Sequence, residues 1–115
     1  MENSKNNINK TKTILIAGGA GFIGSNLCRR VLQENNKVIC LDNLFTDKMS
    51  NIQELLSHDN FKFINHDIIE PITTISENID EIYHLACPAS PPKYQIDPIY
   101  TLKINFLGTT NLLEL

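Results

Sequence analysis

Short apolar runs alternate along the chain with longer segments in which apolar residues recur at helical spacing. Four of the runs predict strands, at Thr13–Ala17, Val38–Leu41, Phe61–Ile64 and Glu81–Ala86. The first two are rich in β-branched residues and almost free of polar ones, which is typical of strands buried on both faces of a parallel sheet. Both are therefore predicted to lie inside a sheet that is covered on its two faces.

Three segments have helical periodicity. The first follows the glycines of residues 18–24 and predicts an amphipathic helix of about three turns, with Ser25 on its polar side. A weaker helix is predicted from about residue 48 to 57, and a last helix begins near Asp97-Pro98. The predicted apolar sides consist of Ile23, Leu27, Cys28, Val31 and Leu32 in the first helix and Ile99, Leu102, Phe106 and Leu113 in the last.

The alternation of strand and helix predicts an α/β fold. We expect a Rossmann-type parallel sheet with helices on both faces that stops after about four strands, fewer than a complete dinucleotide-binding fold has. Residues 1–11 form a polar N-terminus that is expected to be disordered. Residues 12–115 are expected to be the N-terminal part of a dinucleotide-binding domain, without its substrate domain.

Composition narrows the possible functions. The 115 residues are enough for one domain, and 10 basic against 13 acidic side chains give a net charge of −3, which argues against a nucleic-acid partner. No apolar run approaches the ~18–20 residues that a membrane span needs. Cys28, Cys40 and Cys87 are odd in number and lack Cys-x-x-Cys spacing, so neither disulfides nor a metal site is indicated. A reducing cytoplasm fits this pattern.

The strongest chemical signal is the glycine pattern from Gly18 to Gly24, which lies between a predicted strand and a predicted helix. In that context Gly18 allows a tight turn, Gly21 lets the backbone approach a pyrophosphate, and Gly24 lets the helix pack closely. The N–H groups at the start of the helix, together with the helix dipole, then attract phosphates. The alternative is a turn that binds no ligand.

Asp42 ends the second strand, 24 residues after Gly18. An acid near this offset accepts the ribose hydroxyls of NAD, and its charge repels the 2′-phosphate of NADP, so NAD is the expected cofactor. The alternative role for Asp42 is to cap the following turn, because Asp-Asn is itself typical of turns. Asp67, just after the third strand, is expected at the adenine edge or, alternatively, in an ordinary loop.

Four segments give the chain a resemblance to a known family, at Gly18–Ser25, Asp42-Asn43, His66-Asp67 and Tyr83–Ala86. On the basis of these four segments, nearly all of the chain after residue 11 resembles the extended short-chain dehydrogenase/reductases, the group of nucleotide-sugar epimerases and dehydratases. Further segments, at 87–94, 97–98, 101–103, 105–111 and 42–46, resemble the UDP-glucuronate decarboxylase (UDP-xylose synthase) subfamily.

The resemblance implies an NAD-dependent lyase that works as a homodimer. NAD would take hydride from C4 of UDP-glucuronate, the 4-keto acid would lose carbon dioxide, and hydride would return to give UDP-xylose. The contacts that the resemblance implies are Gly21, Phe22 and Ile23 for the pyrophosphate, Asp42, Asn43, Phe45 and Thr46 for adenosine, Asp67 and Ile68 for adenine, Leu85 and Cys87 for nicotinamide, and Lys103 for the nucleotide sugar. For Lys103 the alternative is a solvated surface lysine.

Two departures from the family pattern concern the site. Asp47 stands where the family usually has glycine, which places an additional negative charge near the adenosine phosphates. The family's catalytic tyrosine is followed four residues later by a lysine, and none of Tyr83, Tyr94 and Tyr100 has a lysine at that offset. No catalytic residue is therefore assigned, and we expect the chain by itself to have no decarboxylase activity.

The sequence thus predicts the NAD-binding half of an enzyme that resembles UDP-glucuronate decarboxylase. Two alternatives stay open: part of another NAD-dependent nucleotide-sugar epimerase or dehydratase, or a non-catalytic NAD-binding module. The turn at Pro88–Pro91 favours the decarboxylase subfamily, because the other relatives usually lack it.

Overall fold

A computed structural model describes residues 11–44, 47–86 and 98–115 of the chain. Four parallel strands form one sheet in the order β3-β2-β1-β4, which confirms the predicted parallel α/β architecture. The strands are β1 (Thr13–Ala17), β2 (Lys37–Asp42), β3 (Phe61–Asn65) and β4 (Glu81–His84). β4 ends earlier than the predicted Ala86, although the Leu85 N–H still donates to the Ala17 carbonyl at 2.7 Å.

The central strand buries both of its faces, as its apolar run predicts. Ile14 and Ile16 of β1 pack on one face of the sheet with Cys28. Leu15 packs on the opposite face with Leu112. Leu15 is fully buried, and burial of a leucine side chain contributes about 2 kcal/mol. The sheet is therefore the middle layer, with helical segments on both faces.

Helix α1 (Phe22–Gln33) covers the first of these faces, and its 12 residues match the predicted length of about three turns. Its first turn differs from the prediction, because Ile23 is exposed and Ser25 is buried. The helix starts directly on the glycine turn, so small residues face inward there. The buried Ser25 hydroxyl donates to the Phe22 carbonyl at 3.1 Å, which satisfies it.

The segment predicted as a weak helix from about 48 to 57 forms two 3₁₀ turns instead, at Met49–Asn51 and Gln53–Leu55. Ile52, between the two turns, has φ −121° and ψ 4°, which lies outside the α-helical region. Ile52 and Leu55 are both buried. Both side chains pack into the core cluster formed by β1 and α1, so tertiary contacts rather than local helical periodicity hold this segment.

The last helical segment has three parts, α2 (Pro98–Lys103), a π-helical stretch (Ile104–Gly108) and α3 (Thr109–Leu113). The predicted start near residue 98 is confirmed. Leu112 faces the sheet and is buried. The residues of the predicted apolar stripe are instead exposed to solvent: Ile99, Leu102, Phe106 and Leu113, at 67–78%.

Within the described ranges, no helix is long and apolar enough to cross a membrane. The predicted polar N-terminus, up to residue 10, and the predicted proline-rich turn at Pro88–Pro91 lie outside the described residues.

Candidate functional site

The glycine turn after β1 is held tightly at its first residue. Gly18 has φ +82°, a left-handed conformation that favours glycine. Its N–H donates to the Leu41 carbonyl at 2.7 Å, near the end of β2. A Cβ on Gly18 would lie 2.7 Å from the backbone nitrogen of Ala86, so the chain after β4 passes directly against the turn. Gly18 thus lies where the ends of β1, β2 and β4 meet.

Helix α1 begins directly on this turn. A Cβ on Gly24 would lie 2.8 Å from Gly19 Cα, so only glycine allows the helix to approach this closely. Gly21 is the N-cap residue, and it has no side chain to cap the helix. Its N–H donates to the Gly18 carbonyl at 3.2 Å, and its carbonyl accepts the Ser25 N–H at 2.8 Å.

The start of α1 is exposed to solvent. Phe22 is 81% exposed and Ile23 is 70% exposed, and the first turn contains no acidic side chain. A helix N-terminus carries a partial positive charge and presents backbone N–H groups. This end of α1 therefore has the chemistry that binds phosphate groups.

The Asp42 carboxylate lies beside the glycine turn at the end of β2 and is buried. Its Oδ2 accepts the Ala20 N–H at 3.0 Å, and its Oδ1 accepts the Leu44 N–H at 2.7 Å. The second bond spans two residues and matches the turn-capping alternative, and it accompanies a positive φ of 60° at Leu44. Asp42 therefore caps its own turn and also fixes the glycine turn, and each carboxylate oxygen retains capacity for another donor.

A second support of the glycine turn was not predicted from the sequence. The Asn51 side-chain amide donates to the Ala20 carbonyl at 2.8 Å. Arg29 of α1 in turn donates to the Asn51 carbonyl at 2.6 Å and pairs with Glu54. Both polar backbone groups of Ala20 are thus bonded to side chains distant in sequence. No local pattern could have indicated this, because Asn51 lies 31 residues after Ala20.

The other described residues of the predicted site lie after β2, β3 and β4, or on the last helical segment. Asp67 Oδ1 accepts the Ile69 N–H at 3.2 Å, so this carboxylate takes part in a local turn. The Ile68 side chain is buried in the core, and its carbonyl accepts the Asn111 amide at 2.6 Å. Any contact of Ile68 with a ligand would therefore use its backbone rather than its side chain.

Leu85 follows β4 and is 38% exposed. Asn43 is half-buried next to Asp42, and Lys103 is exposed at the end of α2. Three predicted contact residues, Phe45, Thr46 and Cys87, lie outside the described residues. Over the ranges that are described, no group of three His, Cys, Asp or Glu side chains could hold a metal ion.

Two thiols lie beneath the glycine turn. Cys28 of α1 and Cys40 of β2 are both free and fully buried, and a Cβ on Gly19 would lie 2.5 Å from the sulfur of Cys40 and 3.2 Å from that of Cys28. A hydrogen bond with Cys28, together with burial, raises the pKa of the Cys40 thiol far above its ordinary value. Both cysteines therefore act as small core residues, and the raised pKa keeps the Cys40 thiol from acting as a nucleophile at neutral pH.

The fold and this turn together define a Rossmann-type α/β protein, in which a glycine turn follows the first strand and an acid ends the second. The family model described as GDP-mannose 4,6 dehydratase matches residues 15–115, and the chain belongs to that family. Among curated relatives, UDP-glucuronic acid decarboxylase 1 of Danio rerio is 48% identical over 104 residues, which is 90% of this chain and 24% of the relative. UDP-glucuronic acid decarboxylase 6 of Arabidopsis thaliana is 48% identical over 103 residues, 89% of this chain and 29% of the relative.

Solved structures with the same fold include an epimerase and an enzyme in complex with NAD+. The epimerase Mth375 of Methanothermobacter thermautotrophicus has a TM-score of 0.80 and 31% identity, over 91% of this chain and 31% of that protein. The enzyme WbmF of Bordetella bronchiseptica, solved in complex with NAD+, has a TM-score of 0.76 and 27% identity, over 90% of this chain and 32% of that protein. The chain thus spans about a quarter to a third of the length of these relatives.

Proposed function

We propose that this chain is the NAD-binding part of an enzyme that decarboxylates UDP-glucuronate. The glycine turn is the observation that carries this proposal. It lies at the carboxyl end of the sheet, between β1 and β4, where the strand order β3-β2-β1-β4 reverses direction. Ligands of open parallel α/β sheets bind in the crevice at such a point.

The described residues fit a dinucleotide. Gly21, Phe22 and Ile23 would hold the pyrophosphate at the N-terminus of α1, where backbone N–H groups and the helix dipole attract it. Asp42 would accept the hydroxyls of the adenosine ribose, since its carboxylate is already held in place by two N–H groups. Its negative charge disfavours a 2′-phosphate, which supports NAD over NADP. WbmF, a structural relative, was solved with NAD+.

NAD, when bound, supplies hydride removal from the sugar and its later return. In this proposal the chain's own residues bind and orient the reactants: Leu85, after β4, lies on the nicotinamide side, and Lys103 reaches the nucleotide sugar. The sequence has no tyrosine followed by lysine four residues later. The proton of the C4 hydroxyl must therefore pass to a base other than a Tyr–Lys pair of these 115 residues.

The identity of the substrate rests on the curated relatives. UDP-glucuronic acid decarboxylases from an animal and a plant are 48% identical to this chain, whereas the epimerase Mth375 is 31% identical. We therefore favour UDP-glucuronate over the substrates of epimerases. We also propose a cytoplasmic location, which the free thiols of Cys28 and Cys40 support, because reducing compartments keep thiols free.

Isothermal titration of the purified chain with NAD and NADP tests the proposal. We expect NAD to bind more tightly than NADP, and Gly21→Val to weaken NAD binding at least about tenfold, because a side chain there would enter the space of the pyrophosphate. Ser57→Val, at an exposed position away from the turn, is the matched control, and circular dichroism checks that each variant is folded. Unchanged affinity in folded Gly21→Val would remove the glycine turn from the binding site.

A further inference from the structure

The side chain of Asp47 lies over the glycine turn. A Cβ placed on Gly21 would lie 3.0 Å from Oδ1 of Asp47 and 3.2 Å from Oδ2. Both carboxylate oxygens therefore border the space that the missing side chain of Gly21 leaves. A phosphate that approaches the backbone at Gly21 has to enter this same space.

We propose that Asp47 sets the affinity of the glycine turn for dinucleotides, by placing its carboxylate where a phosphate group of the ligand would lie. This inference rests on the proposed NAD-binding function. A bound pyrophosphate at Gly21 meets a negative charge at contact distance. Either the Asp47 carboxylate moves aside when the ligand binds, or the ligand binds against its repulsion. Asp42 differs, because its carboxylate faces Ala20 and Leu44 rather than the space over Gly21.

The position of Asp47 is also expected to stabilise the protein when no ligand is bound. A carboxylate near the N-terminus of a helix interacts well with the helix dipole, and α1 has no acidic residue in its own first turn and no capping side chain on Gly21. Asp47 therefore supplies negative charge to the start of α1 when no ligand is bound. Stability of the free protein and affinity for a dinucleotide are thus expected to respond in opposite directions when this charge is removed.

Titration of the 115-residue chain with NAD and with adenosine separates these effects. Asp47→Asn removes the charge and keeps the volume, whereas Asp47→Ala removes both. We expect Asp47→Asn to bind NAD about fivefold more tightly, as removal of one like charge near a phosphate predicts, and Asp47→Ala to bind at least as tightly. Adenosine lacks phosphate, so its affinity should stay within about twofold. Thermal melting should show a lower midpoint for Asp47→Asn without ligand.

Asp59→Asn is the matched control, because it removes the same charge from an exposed loop that precedes β3 and thus lies at the amino end of the parallel strands, away from the glycine turn. It should leave NAD affinity unchanged. Equal or weaker NAD binding in both Asp47 variants would overturn the role of Asp47, and if Gly21→Val still weakened binding, the proposed function would stand. An equal gain in affinity for adenosine would also overturn the role of Asp47. Absence of NAD binding in every folded variant would overturn the proposed function and this inference together.

Discussion

The Asp42 carboxylate accepts the backbone N–H of Ala20 at 3.0 Å, and this bond joins the end of β2 to the glycine turn after β1. The same carboxylate accepts the Leu44 N–H. Because both donors are backbone groups, one buried side chain holds the backbone of two turns. The residue predicted to bind ribose is thus also a structural residue of the free protein.

Asp42→Ala should destabilise the fold. The substitution leaves the N–H groups of Ala20 and Leu44 without this acceptor, and we expect a loss of about 1–3 kcal/mol in the free energy of unfolding. Asp42→Asn keeps one acceptor oxygen and should cost less. Urea unfolding followed by circular dichroism measures both variants, with exposed Asp59→Ala as the control. Equal stability of Asp42→Ala and the control would show that the two bonds do not hold the turn.

Gly18→Ala should be more damaging than Gly108→Ala. A Cβ on Gly18 would strike the backbone of Leu85 and Ala86, and the residue has φ +82°. At Gly108 the new methyl group would meet side-chain atoms of Ile68 rather than backbone atoms, and alanine is the better helix former by about 1 kcal/mol. We expect a loss of more than about 2 kcal/mol for Gly18→Ala.

Chemical unfolding of these two glycine variants, under the same conditions, gives the comparison. A smaller loss for Gly18→Ala than for Gly108→Ala would contradict the tight approach of the chain after β4 to the glycine turn.

Stability should fall as the pH rises above the ordinary range of thiol ionisation. The pKa of the Cys40 thiol is raised by its hydrogen bond with Cys28 and by burial, so the thiol stays neutral in the folded protein and ionises in the unfolded chain. This contribution is fully present below the ordinary thiol pKa and is lost above it. Between pH 7.5 and 9.5 we expect a loss of about 1 kcal/mol.

Urea unfolding at the two pH values measures this loss, and Cys40→Ala is the comparison. The variant lacks the ionising group, so its stability should be lower at both pH values but should fall less between them. An equal fall in both proteins would assign the pH dependence to other groups. Slow alkylation of Cys40 by iodoacetamide in the folded protein, located by peptide mass spectrometry, would agree with a buried neutral thiol at this position.

The chain should self-associate at micromolar concentration. β4 is an edge strand in the described sheet and carries exposed Ile82 and Tyr83, while Leu102 and Phe106 are each 67% exposed on the last helix. An unpaired strand edge together with exposed apolar side chains favours association. Analytical ultracentrifugation should show species larger than a monomer, and Phe106→Glu should shift them towards the monomer. A monodisperse wild-type monomer would contradict this expectation.

Local sequence patterns determine much of the fold. The strand Thr13–Ala17 has the predicted bounds because a short apolar run that is rich in β-branched residues and ends at glycines favours a strand buried on both faces of a sheet. The glycine turn and the acid at the end of β2 were likewise predictable from the sequence. The turn needs a residue that adopts a positive φ at Gly18, and the acid needs a set distance in sequence from the turn, so each requirement falls on a single residue.

Other features depend on contacts between distant segments, and only the tertiary structure decided them. The two 3₁₀ turns around Ile52 pack on β1 and α1, and the Asn51 side chain bonds to Ala20, so both features depend on residues far away in the chain. The place of Asp47 is the clearest case. The sequence showed an additional negative charge, but its position beside Gly21, 26 residues earlier in the chain, is a tertiary contact. Such contacts are set by the sum of many weak interactions, which no short pattern encodes.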